Sequence, residues 1–77
     1  MAVLPALAYG FATLFKIREL TRCFTGAKLR QSKTELVAEY GPDRIAVGFD
    51  FGAIVFINVP GEERARVLDQ VMRIFAS

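Results

Sequence analysis

Large and small side chains alternate at the head of the chain. Val3, Pro5, Leu7, Tyr9 and Phe11 are mostly bulky, and Ala6, Ala8, Gly10 and Ala12 between them are small. A period of two is the mark of a strand, expected here over residues 3–12 and covered on both faces, with the small face letting a helix approach closely. Pro5 cannot donate to a ladder, so it belongs near the strand's beginning or on an unpaired edge. From Leu14 the period lengthens. Ile17, Leu20, Cys23 and Phe24 recur at three- and four-residue spacing, with Lys16, Arg18, Glu19 and Arg22 elsewhere, which predicts an amphipathic helix. Thr13 is its candidate N-cap and Gly26 the residue that stops it. Residues 27–33 are polar and basic and read as a connection, or as a frayed extension of that helix.

Strand character returns from Thr34 to Tyr40, with Leu36, Val37, Ala38 and Tyr40 inside. Gly41-Pro42-Asp43 is a turn, Pro presetting φ and Asp capping the local backbone. Ile45, Val47, Phe49, Val55, Ile57 and Val59 are β-branched or aromatic, as pleated surfaces prefer, yet residues 44–59 are too many for one strand. Asp50-Phe51-Gly52 breaks the run. In a three-residue hairpin loop the last position needs φ > 0, which Gly52 supplies without steric cost. The prediction is a hairpin of strands 44–49 and 53–59. Pro60-Gly61 ends it, and Glu62 and Glu63 open a helix where carboxylates suit the positive end. Val67, Leu68, Val71, Met72 and Phe75, supported by Ile74, form its buried stripe. Glu62 with Arg66 and Asp69 with Arg73 are i,i+4 pairs in the favourable order.

The order β-α-β-β-β-α predicts a single α+β domain over residues 1–77, a four-stranded, largely antiparallel sheet with two helices on one face. The other sheet face is then uncovered, although both faces of the strands read apolar. Composition points the same way. The chain has 77 residues, of which 53% are hydrophobic, and a domain this small buries only roughly 60% of the surface its unfolded chain exposes. The surplus suggests burial against a second copy, a dimer being the commonest closed solution, or against the remainder of a longer chain.

Charge adds a second feature. Lys16, Arg18, Arg22, Lys28, Arg30 and Lys33 stand against Glu19 alone, so residues 16–33 are strongly basic within a net charge of +2. Such a segment can attract phosphates or an anionic membrane; it can also complement an acidic patch on a second subunit, or be a solvated helix face plus loop, the reading favoured here because no nucleic-acid motif accompanies it. Candidate chemistry is sparse. With no histidine and one cysteine, the chain has no internal disulfide, no His-dependent triad and no Cys/His zinc set. Cys23 reads as a small core hydrophobe. Asp50, the one carboxylate between apolar strands, reads as a structural hairpin residue. No catalytic residue, cofactor or metal is expected. Residues 1–15 carry no charge, but they lack the positive start of a signal peptide, and Lys16, Arg18 and Glu19 cut them short of a membrane span. A cytoplasmic location is favoured on that ground.

The run Ile45-Ala-Val-Gly-Phe-Asp-Phe-Gly-Ala-Ile-Val-Phe-Ile-Asn-Val59, followed by Pro60-Gly-Glu-Glu63, resembles the required-for-meiotic-nuclear-division family, with Phe49, Asp50, Phe51, Gly52 and Phe56 on the motif. The resemblance covers nearly all of this chain and about the first half of a typical member. Members are similar in adding a further helical part that often ends in a membrane anchor, so the chain is expected to be a fragment or a shortened member. The resemblance implies a role of the mitochondrial-translation or sporulation type, a mitochondrial location if the chain is a eukaryotic fragment, and no established catalytic residues. The functional expectation is a non-enzymatic interaction or self-association module. The alternative is a nucleic-acid or ribosome-associated module using residues 16–33.

Overall fold

A computed structural model describes residues 6–75. Its elements run β1 (Ala6–Gly10), α1 (Ile17–Leu20) continued by a 3-10 turn (Thr21–Cys23), β2 (Lys28–Gln31), β3 (Glu35–Gly41), β4 (Arg44–Phe49), β5 (Ala53–Ile57) and α2 (Gly61–Phe75). The strands form one open sheet in the order β1-β5-β4-β3-β2, and every neighbouring pair is antiparallel. The α+β class is as expected, but among the described residues the sheet has five strands, not four.

The additional strand is β2, in the stretch that reads as a connection. Its residues Lys28, Leu29, Arg30 and Gln31 are all exposed, so no buried stripe announces it. A local turn makes it instead. Ser32 Oγ accepts the backbone N–H groups of Thr34 (3.3 Å) and Glu35 (3.2 Å), and the Ser32 N–H donates to the Glu35 carbonyl, folding the chain back onto β3. Charged residues on such an edge discourage further pairing.

Two further expectations change. The first strand ends at Gly10, two residues before the expected Ala12, and Val3, Leu4 and Pro5 lie outside the described residues. Within β1 the faces are reversed. Leu7 pairs with Phe56 and Tyr9 with Ile54, both core residues, so the large residues sit on the helix side and Ala6, Ala8 and Gly10 on the open side. β1 is also an edge strand among the described residues, and all its residues but the half-buried Tyr9 are exposed, so it is not covered on both faces. The first helix is the other case. It is a single α-turn and a 3-10 turn rather than one helix from Leu14, its N-cap position is Lys16 with no side-chain cap bond, and Leu14 is 76% exposed. The chain from β1 must first cross the end of the sheet: Phe11 N–H donates to Gly52 O and Phe15 N–H to Asp50 O, which delays helix formation until Ile17.

Both helices lie on one face. Ile17, Leu20, Cys23 and Phe24 from the first helical segment and Val67 and Val71 from α2 join Leu36, Ala38, Ala46, Ile54 and Phe56 of the sheet in one buried cluster. Phe15 packs on Phe75 with ring centroids 4.8 Å apart, tying the start of α1 to the end of α2. In α2 the stripe is narrower than its pattern: Val67 and Val71 are buried, whereas Met72 is 52% exposed. Arg73 pairs with Asp69 as expected at 3.0 Å, but Arg66 pairs with Glu63, one turn position closer than Glu62.

Candidate functional site

The sheet face away from the helices is built from three cross-strand rows. Register places Ala8, Val55, Val47, Val37 and Arg30 in the central row. On one side of it run Gly10, Ala53, Phe49 and Glu35; on the other run Ala6, Ile57, Ile45, Glu39 and Lys28. The face is therefore graded: small residues on β1, branched and aromatic residues on β5, β4 and β3, and charges toward β2. Val37, Ile45, Val47, Phe49, Val55 and Ile57 are all half-buried. They shield one another within the plane of the sheet, as dense β-branched rows on a pleated surface do, while among the described residues both helices pack on the other face.

The five motif residues scatter across this frame. Gly52 takes the turn position that needs left-handed backbone, with φ +102, and its N–H donates to the Phe49 carbonyl at 3.0 Å. Asp50 acts through its backbone: its N–H donates to Thr34 O and its carbonyl accepts Phe15 N–H, each at 2.8 Å. Phe56 is in the core, edge-on to Tyr9 with ring centroids 5.7 Å apart. Phe49 and Phe51 alone come together at the surface, stacked with centroids 5.3 Å apart. Phe51 is 64% exposed at the tip of the hairpin, which extends the apolar face beyond the sheet's end.

The six basic residues do not converge. Lys16, Arg18 and Arg22 belong to the helical segment on the covered side, Lys28 and Arg30 share the open face at the β2 edge, and Lys33 sits in the turn that follows. Lys28 lies opposite Glu39 on β3, so part of the local charge is offset. Sequence pattern alone identified the basic run but not its division between the two sides of the sheet, because β2 itself was hidden.

Among the described residues, burial shifts two ionisable groups. Burial pushes the Cys23 thiol up from 9.0 to about 11, which leaves it protonated and inert at neutral pH. Burial, with help from Glu63, pushes the Tyr40 phenol up from 10.0 to about 12, and its hydroxyl has no hydrogen-bond partner among the described residues. Among those same residues no cluster of three or more His, Cys, Asp or Glu is arranged to hold a metal, and no helix is long and apolar enough to cross a membrane. No family model matches the chain, and neither a curated protein nor a solved structure matches it.

Proposed function

We propose that the chain is a non-catalytic association module that docks its open sheet face on another protein surface. One observation carries this reading: both helices pack on the same side of the sheet, and Val37, Ile45, Val47, Phe49, Val55 and Ile57 form a continuous apolar field on the other. A field of that kind is a recognition surface when polar residues rim it, and Lys28, Arg30, Glu35 and Glu39 supply such a rim along one side. The division of the basic residues between the two sides favours a protein surface over a phosphate backbone, since phosphate tracking needs cations gathered on one face. Membership of the required-for-meiotic-nuclear-division family is part of the same proposal, and rests on residues 45–63 alone.

Val47, at the centre of the field, is the residue to change. Val47→Lys is expected to fold with stability within about 1 kcal/mol of the parent, because a half-covered strand position tolerates a long polar stem. It should lose most of the parent's binding of an apolar fluorescent dye. A folded parent that binds no dye would overturn the proposal.

A further inference from the structure

The open sheet leaves two edges, and they differ in kind. The β2 edge carries Lys28 and Arg30, followed by Lys33, the sort of charge that natural edges use against unwanted pairing. The β1 edge carries none: Ala6, Leu7, Ala8, Tyr9 and Gly10 are uncharged, as is every residue before Lys16. The direction of the backbone groups can be read from the ladder. Phe11 N–H donates to Gly52 O at 2.7 Å, and antiparallel ladders alternate between bonded and non-bonded residues. Leu7 and Tyr9 therefore bond to β5, and Ala6, Ala8 and Gly10 direct their N–H and C=O groups away from the sheet. These are the smallest residues of the strand, and beyond Gly10 a Cβ would meet nothing within 4 Å.

We propose that β1 pairs antiparallel with β1 of a second copy, about a two-fold axis at Ala8. This rests on the association reading above but names a different surface, the sheet edge, and one occupant. The strand is complementary to itself. Ala6 meets Gly10 of the second copy and Ala8 meets Ala8 as bonded pairs, so the outward-directed groups are satisfied without a bulky side chain in the way. Leu7 meets Tyr9 of the second copy in the non-bonded position, where side chains come closest and aliphatic–aromatic pairs are favourable. The two-fold axis stands perpendicular to the sheet, so the helices of both copies lie on the same side of the seam. There Leu7 is 44% exposed and Met72 52% exposed, and Met72 and Phe75 line an open apolar hollow with Gly10 and Phe11. A second copy covers this flank, and the two open faces join into one surface of double width.

Amide hydrogen exchange of the unaltered protein over a range of concentrations tests the seam. The amides of Ala8 and Gly10 are expected to exchange roughly tenfold or more slowly as concentration rises through the dimerisation range. Leu29 and Gln31 are the control. Ser32 N–H donates to Glu35 O, so by the same alternation these two point outward from the β2 edge, and their exchange should not depend on concentration. Ala8→Pro removes one outward N–H and leaves the bonds to β5 intact; it should abolish the dimer, whereas Val47→Lys should keep it. A dimeric mass with freely exchanging Ala8 and Gly10 amides would overturn the seam and leave the association reading standing. A monomer that still binds apolar dye would do the same. A monomer that binds no dye would overturn both.

Discussion

The Leu20 side chain lies directly on the backbone of Gly48. Leu20 is fully buried, and a Cβ at Gly48 would be driven into its Cδ2 and stand 3.5 Å from its Cγ. The absence of a side chain in the middle of β4 is what lets the short first helix reach the sheet. Gly48→Ala is expected to destabilise the domain by about 1–3 kcal/mol through overpacking, and Leu20→Ala by about 2–5 kcal/mol through the cavity it leaves. The double variant should lose less than the two added together, because the new methyl occupies part of that cavity. Urea midpoints of the four proteins check this, and simple additivity would show that the two residues do not share the space.

Gly52 fixes the tip of the β4–β5 hairpin against the chain leaving β1. Its φ of +102 is one that side chains rarely adopt, and a Cβ there would collide with the Thr13 carbonyl oxygen and stand 2.7 Å from that of Phe11. Backbone atoms cannot move aside as a leucine tip can. Gly52→Ala is therefore expected to cost about 2 kcal/mol or more, measured by thermal or urea unfolding. An unchanged midpoint would remove the proposed constraint.

The hairpin was legible because its evidence is local. Ile45, Val47, Phe49 and Val55, Ile57 alternate cleanly, and Gly52 marks the turn position that needs φ > 0; the second strand ends at Ile57 rather than Val59, where Asn58 takes a left-handed φ of +53. The same holds for β3 and the Pro42-Asp43 turn, and for most of α2. β2 was not legible, because a solvated edge strand needs no apolar period and its turn is closed by one residue, Ser32, through its hydroxyl and its backbone N–H. The facing of β1 was misread for a related reason: alternation separates two sets of residues without saying which set meets the helices. Leu7 and Tyr9 face them because Phe56 and Ile54 are their cross-strand partners, and register is a long-range fact. The apolar surplus was visible from composition, but its placement on the sheet face and at the β1 edge required the strand order.

Alkaline pH should weaken the fold in two steps. Cys23 and Tyr40 are neutral when protonated, and burial raises the first from 9.0 to about 11 and the second from 10.0 to about 12. The native state thus holds protons that the unfolded chain has released. Their contribution is complete below the unfolded values and is lost as pH rises through the folded ones. Urea midpoints are expected to be flat for these groups up to about pH 9 and to fall between there and about pH 12. Tyr40→Phe should remove the upper step. At neutral pH it should leave stability unchanged or raise it by up to about 1 kcal/mol, since the deleted hydroxyl is buried without a partner among the described residues. A clear loss of stability at neutral pH would show that the hydroxyl makes a bond in solution.

Association is the claim on which the functional reading depends, and mass in solution tests it most directly. Light scattering or sedimentation across micromolar concentrations should give a mass above the 8.6 kDa of one chain, rising toward twice that value as the β1 edges pair. A folded chain that stays at 8.6 kDa throughout and binds no apolar dye would contradict it.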